Sequence, residues 1–553
     1  MRPVDSRTDQ YVDDVSAADP ILATAIGVPG YDHLMPDLTP DGFAAREDLV
    51  RAAVADVTAL TPSDEREAIA RDAFLERNRI EVERIDAGLA RHELSVISGW
   101  SNEVRGAFDL MGTDTPEEWE AIEARLAAVP GTLEAYRTTL LEEAGAGRVV
   151  ARRQYAEHAK QIRGWTKSGP GNYFLDLAAK APDGVRDAVA KQAETAASAY
   201  SSFADFLESE MTPRGREADG VGREHYALAS REFLGATVDL EEAYAWGWQE
   251  LKRIEDDMAA TAQRVVPGGS LQDALAALDS DPARDLGTRE AFQDWMQEKS
   301  DRILSEFNGV HFDIAEPIRT LACKVAPVND GGAWYTPPSE DLSRPGTMWF
   351  SFTDDQEHLS TWRETTTVFH EGVPGHHLQC AQAVYRADLL NRWQRLMCWV
   401  SGHGEGWALY SERLMDELGF FEDPGDRIGF LDMQRFRAAR VIVDIGVHLG
   451  LEIPQDNPFG WRPGEVWDAG RVLEFMLAHS WHEEGQVRFE VNRYLGWPGQ
   501  APSYKLGERI WLQARDEAKA RAGASWDLKA FHTAALDLGS LGLDPLKAAL
   551  ARL

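Results

Sequence analysis

Through most of this chain apolar residues recur every three or four positions among charged ones, and that period admits amphipathic helices and little else. The segments Ser63 to Leu94, Pro116 to Ala128, Pro182 to Met211, Leu240 to Val265 and Arg289 to Phe307 all read this way, parted by breaks such as Ser168-Gly-Pro-Gly171 and Pro267-Gly-Gly269. The texture changes between about 318 and 352. There Leu321–Ala326, Ala333–Thr336 and Thr347–Phe352 are short, aromatic or β-branched, and bounded by Asn329-Asp-Gly-Gly332 and Arg344-Pro-Gly346. We expect a small antiparallel sheet here. From Thr361 the helical period returns and continues almost to the end, with one loop-rich interruption at Gly496–Pro502. The expected fold is mainly α, with an N-terminal helical lobe over 1–230 and a second lobe over 231–553 that holds the sheet and, at about 361–450, the helices richest in polar chemistry.

Composition narrows the function. Ninety-two acidic against 57 basic residues leave a formal charge of −35, a surface that repels phosphate backbones and anionic lipid, so nucleic acid and membrane are not expected partners. No run reaches the ~18–20 apolar residues of a membrane span, and the acidic start of the chain does not read as a secretory signal, so a cytoplasmic location is expected. Cys323, Cys380 and Cys398 are too few and too scattered for a thiolate metal knot or a disulfide framework.

Four of the fourteen histidines fall between 370 and 403. The stretch Phe369-His370-Glu371-Gly-Val-Pro-Gly-His376-His377 resembles the H-E-x-x-H zinc helix, in which two histidines one turn apart chelate the metal and the glutamate acts on its water. The spacing departs from it. In a straight helix His376 would point about 120° away from His370, and His377 would face correctly but about 10 Å along. Pro374 and Gly375 supply the remedy, because proline forces the helix to break and lets residues loop out. Two looped residues would bring His376 into place, three His377; His376 is favoured and both stay candidates. Downstream, Ser401-Gly-His403-Gly-Glu405-Gly-Trp-Ala-Leu-Tyr-Ser-Glu412 opens a buried helix. Glu405 is the expected third ligand, completing a His2Glu set with one open position; Glu412, seven residues on, and His403 compete for the role, and a plain helix-start charge is the other reading of Glu405.

These motifs identify the chain as resembling the bacterial family catalogued as domain of unknown function 885, with His370–Gln379 and Gly404–Glu412 carrying the likeness and Asp19–Gly27 and Pro498–Gly507 extending it more weakly over most of the chain. That family resembles in turn the H-E-x-x-H…E metallopeptidases, the gluzincin group. The resemblance implies an elongated helical body with a deep cleft, zinc at its floor between a helix pair, and a sheet edge that holds an extended peptide.

The remaining candidates follow from residue type. Glu371, beside the first ligand, is the expected general base. A developing oxyanion needs a further donor, for which His448 and Tyr504 are candidates, as is Tyr494. Arg440, Asp444 and His448 recur every four residues and line one helical face: a buried ion-pair network, an orienting role for Asp444 behind a zinc histidine, or a substrate contact through His448. Arg437, Arg440 and Lys505 are candidates for a substrate carboxylate. Trp334 and Tyr335 are candidates for a strand edge that pairs with peptide backbone. His482-Glu483 has Gln486 where a second histidine would stand and reads as incidental. The expected activity is therefore zinc-dependent hydrolysis of short peptides, with hydrolysis of a non-peptide amide or ester, or a non-catalytic peptide-binding role, as alternatives. The metal in the cell, endo- or exopeptidase action and oligomeric state are not legible.

Overall fold

The structure is a computed structural model that describes residues 2–326, 332–352 and 359–552. The turn expected at Asn329–Gly331 lies outside the described residues. Helices dominate, and many begin where the sequence places a short polar side chain to satisfy the first free N–H groups. Asp239, Thr288 and Asp423 each accept from a backbone amide in the first turn of the helices Leu240–Val265, Arg289–Phe307 and Pro424–Leu449. Thr115 and Glu118 form a reciprocal capping box at the start of Pro116–Gly145.

That last helix runs well beyond the Ala128 expected from the sequence, straight through Pro130, because Trp119, Ile122, Leu126, Leu133, Tyr136 and Leu140 keep burying the same face past the proline. Two other expected helices are shorter. Ser63–Leu94 reduces to Glu65–Asp86, closed by Gly88 at φ 70°, and Pro182–Met211 begins at Arg186 and ends in a widened turn over Leu207–Met211. The irregular stretch after Leu449 was not expected; it lasts until a helix resumes at Ala469.

Two compact units emerge. The first comprises 1–67, 77–221 and 489–498, and the second 68–76, 222–488 and 499–553. The first unit has one continuous apolar core, centred on Leu126, Tyr136, Tyr155, Phe174 and Tyr200.

The second unit contains every candidate functional residue except Tyr494. Its sheet has three strands, β1 (Leu321–Val325), β2 (Ala333–Thr336) and β3 (Gly346–Phe350), in the order β1-β3-β2. The expected antiparallel sheet is corrected to a mixed one, since β2 runs antiparallel to β3 but β1 runs parallel to it, Leu321 opposite Gly346 and Val325 opposite Phe350. The physical reason lies in burial: β3, with Met348 and Phe350 inside, is the most apolar strand and takes the centre, leaving β2 at an edge.

Five helices frame the candidate site: α1 (Thr361–Glu371), α2 (His376–Tyr385), α3 (Ser401–Glu417), α4 (Pro424–Leu449) and α5 (Gln500–Ala522). α1 packs on α3 and α4, and α3 lies along α5. The last pair approach so closely that a Cβ on Gly406 would stand 2.5 Å from the carbonyl carbon of Gly507. α4 is buried along nearly its whole length, with Arg435, Arg437, Arg440 and Asp444 inside.

Candidate metal centre

The break between α1 and α2 builds the site. α1 stops at Glu371, residues 372–375 loop out, and α2 starts at His376, with Gly375 N bonded to Phe369 O at 3.0 Å and His377 N to Gly372 O at 3.1 Å. Gly375 is required here, because a Cβ would lie 1.9 Å from His370 O and 2.5 Å from Phe369 O. α3 clamps the bend. Trp407 Nε1 donates to Pro374 O at 2.9 Å, and Ser411 Oγ donates to the same carbonyl at 3.2 Å.

With the chain folded back, His370 and His376 face each other, ring centroids 4.9 Å apart and nearly perpendicular. Glu405 of α3 meets both, its Oε2 lying 3.3 Å from His370 Nε2 and 3.4 Å from His376 Nε2. Ligand atoms of His370, Glu371 and His376 also lie within 4.8 Å of one another. A four-coordinate zinc with bonds of about 2.0–2.1 Å has ligands separated by roughly 3.3–3.4 Å. The two separations from Glu405 match that edge. Among the described residues two buried polar atoms here have no hydrogen-bond partner, Glu371 Oε2 and His376 Nδ1, and Glu405 Oε2 meets only the two imidazoles, an expensive set to bury. The donor set thus fits a divalent cation of the zinc type, though manganese and cobalt accept the same ligands.

His370 is fixed from behind. Its Nδ1 lies 2.7 Å from Glu412 Oε1, and Glu412 Oε2 accepts from Thr366 Oγ1 at 2.8 Å and faces Gln434 Nε2 at 3.4 Å. Nδ1–H donating to Glu412 would leave a neutral His370 with its Nε2 lone pair turned to Glu405, the tautomer a metal ligand needs. Glu405 and Glu412 are seven apart on α3, so one helical face grips both nitrogens of one imidazole. Burial works against a charged His370, but the carboxylates of Glu405 and Glu412 outweigh it and hold its pKa up to about 9. Burial pushes the Glu371 carboxyl up, against the pull of His376 and His370. Such a cluster of acids calls for positive charge.

The other candidates are placed as follows. His377 points away from Glu405: its Nε2 donates to Ile318 O at 2.9 Å and its Nδ1 accepts from Tyr335 Oη at 2.9 Å, and burial lowers its pKa to about 4. Trp334, 37% exposed, stacks on Trp349 across the β2–β3 pair. His403 binds the Leu541 backbone through Nδ1. The carboxylate behind His370 is Glu412; Asp444 instead accepts from Tyr226 Oη at 2.7 Å and Gly499 N at 2.9 Å, with His448 Nε2 3.7 Å away and its ring stacked on Tyr226. Arg437 and Arg440 sit 5.9 and 4.9 Å from the Tyr504 ring. Lys505 is spent inside the fold, on Gln434 at 2.5 Å, Glu250 at 3.1 Å and Glu508. Tyr494 donates to Glu490 at 2.7 Å within the first unit.

Two residues escaped sequence reasoning. Gln434 links Glu412 to Lys505, and nothing in the charged stretch Asp432–Arg437 singles it out. Trp399 is 50% exposed yet has its ring 5.7 Å from that of His376 and laid against Gly404, where a Cβ would meet it at 2.3 Å.

A family model described as "Bacterial protein of unknown function (DUF885)" matches residues 20–550. No curated protein matches the chain. Among solved structures it is similar to "The crystal structure of the putative lipoprotein from Colwellia psychrerythraea", with a TM-score of 0.86 and 21% identity over 99% of this chain and 98% of that one. It is also similar to "The structure of a putative lipoprotein of unknown function from Shewanella oneidensis", with a TM-score of 0.73 and 17% identity over 99% of each chain. At such identities the shared property is the fold. No described helix is long and apolar enough to cross a membrane.

Proposed function

The chain belongs to the family described as bacterial protein of unknown function, DUF885, a description that assigns no reaction, and we propose from the site that it is a zinc-dependent hydrolase of peptide bonds in short peptides. One observation carries this reading: a carboxylate oxygen of Glu405 lies 3.3 and 3.4 Å from the imidazole nitrogens of His370 and His376, with a further carboxylate, Glu371, beside them whose Oε2 has no hydrogen-bond partner among the described residues. A purely structural zinc would be closed by four protein ligands and would need no such neighbour.

Zinc bound by His370, His376 and Glu405 would supply a Lewis acid that polarises the scissile carbonyl and acidifies a water. Glu371 takes the proton from the attacking water and returns it to the leaving amine. Its raised pKa, caused first by burial, suits a group that must hold that proton between the two steps. Glu412 keeps the His370 ring in register, and the Tyr504 phenol is the candidate donor to the oxyanion. Substrate backbone pairs with the edge strand β2, whose Trp334 supplies apolar surface and whose Tyr335 is tied to His377. Burial supports a short substrate. With Glu371 7% exposed and both histidines less, a folded protein could not present its backbone there.

The test is metal analysis and peptide digestion of the wild type beside Glu371→Gln. The variant is expected to keep zinc and lose turnover by roughly 10²–10⁴-fold. Undiminished hydrolysis by the variant, or wild-type hydrolysis unaffected by chelator, would overturn the reading.

A further inference from the structure

α4 presents a cation that the site described so far does not use. Arg437 is 8% exposed, and among the described residues its only hydrogen bond runs from Nη1 to Met433 O, one turn back on its own helix, at 3.3 Å. Its Nε is buried without a partner, and among the described residues no carboxylate lies within 4.0 Å of the guanidinium. Its neighbours differ. Arg435 is paired to Asp432 at 2.5 Å, Arg413 to Glu508 at 2.6 Å, and Arg427 to Asp257 and Asp416 at 2.9 and 3.0 Å. A buried guanidinium left unpaired is costly, and the usual remedy is a bidentate carboxylate.

Its place ties it to the metal centre. Gln434, three residues earlier and therefore on the same helical face, lies 3.4 Å from Glu412, which holds His370. Arg437 therefore stands on the face of α4 that reaches Glu412 through Gln434. The half-buried ring of Tyr504 lies between this guanidinium and that of Arg440, which also rests 4.6 Å above Phe436. Two guanidinium groups thus share one phenol ring.

We infer that Arg437 is a substrate-binding residue that receives a carboxylate of the peptide, either its free C-terminus or an acidic side chain. This rests on the hydrolase reading for its location and names the substrate class that reading leaves open: peptides carrying a carboxylate near the cleaved bond. Arg suits the role because its planar fork matches a carboxylate and keeps its charge when buried.

The experiment measures binding, so that it survives failure of the hydrolase reading. Penta-alanine as free acid, penta-alanine amide, and Ala-Ala-Glu-Ala-Ala amide are titrated calorimetrically into the full-length zinc-loaded protein carrying Glu371→Gln, with and without Arg437→Gln. With Arg437 present, the free acid, the glutamate peptide or both should bind roughly tenfold to a hundredfold more tightly than the plain amide. Preference for the first marks a C-terminal carboxylate, and for the second a side chain. Arg437→Gln should bring the ratio close to one, and Arg437→Lys should restore part of it. Equal binding of all three peptides, or a preference unchanged by Arg437→Gln, overturns the inference. Absence of cleavage of any peptide by the wild type, with the binding preference intact, would instead sink the hydrolase reading and leave the carboxylate site standing.

Discussion

Glu412→Gln isolates the part of the site that acts through His370 alone. The side chain is fully buried and holds His370 Nδ1 at 2.7 Å and Thr366 Oγ1 at 2.8 Å. The amide keeps the shape and one acceptor oxygen but removes the charge that makes the His370 ring a stronger donor to a cation. If the amide oxygen stays on Nδ1–H, the NH2 group turns toward the hydroxyl of Thr366 and the amide of Gln434. Removing such an orienting partner typically costs 10–100-fold in metal affinity, or about 1.4–2.7 kcal/mol at 1.36 kcal/mol per factor of ten. The assay is competition for zinc against a chromogenic chelator, paired with thermal unfolding of the metal-free and zinc-saturated forms. Zinc affinity should fall within that range, and zinc should still raise the melting temperature of the variant, by less than it does for wild type at equal free zinc. Wild-type affinity in the variant would refute the claim that Glu412 orients a ligand. Loss of zinc as complete as in His370→Ala would show that Glu412 is itself a ligand.

Gly375→Ala forces a Cβ to 1.9 Å from His370 O; the bend must open, with a cost above about 2 kcal/mol and loss of bound zinc, checked by thermal unfolding and metal content. Trp399→Ala removes a half-exposed indole beside His376; zinc content should be unchanged and peptide KM should rise several-fold, and an unaltered KM would show that the ring does not touch substrate. Stability should also depend on pH. Burial pushes the His158 imidazole down to about 4 and, with Arg515 adding to it, the His532 imidazole down to about 3. Both stay neutral in the fold while the unfolded chain takes up protons near 6.5, so their stabilisation is complete above pH 6.5 and is lost as pH falls toward 4. At pH 5 each costs about 2 kcal/mol, and the drop in urea midpoint from pH 7 to pH 5 should shrink in the His158→Gln, His532→Gln double variant.

Much of this arrangement is legible in the residues, and the rest is hidden for identifiable reasons. The helices Leu240–Val265 and Arg289–Phe307 stand where periodicity puts them, because local pattern and burial agree there. Pro130 misleads, since packing along a 30-residue helix outweighs one lost hydrogen bond. The strands are visible in composition, but that β1 runs parallel to β3 depends on how the chain crosses between them, which no local pattern encodes. At the metal centre, Pro374 and Gly375 announce a break without its geometry. Whether two or three residues loop out is decided by the approach of α2 to the carbonyls of Phe369 and His370 and by the clamp from Trp407 and Ser411, all contacts at a distance in sequence. The role of Glu412 is half legible: its spacing of seven from Glu405 puts it on the right face, but which of the two touches which nitrogen depends on how α3 lies against α1. That Arg437 has no carboxylate within 4.0 Å among the described residues is invisible without coordinates.

The central claim is that His370, His376 and Glu405 hold one divalent ion, and anomalous diffraction at the zinc absorption edge from crystals of the zinc-loaded protein tests it most directly. The account predicts a single strong peak about 2.0–2.1 Å from His370 Nε2, His376 Nε2 and Glu405, with His377 still bonded to Tyr335 and Ile318. A peak on His377, at a site remote from Glu405, or at no defined position would contradict it.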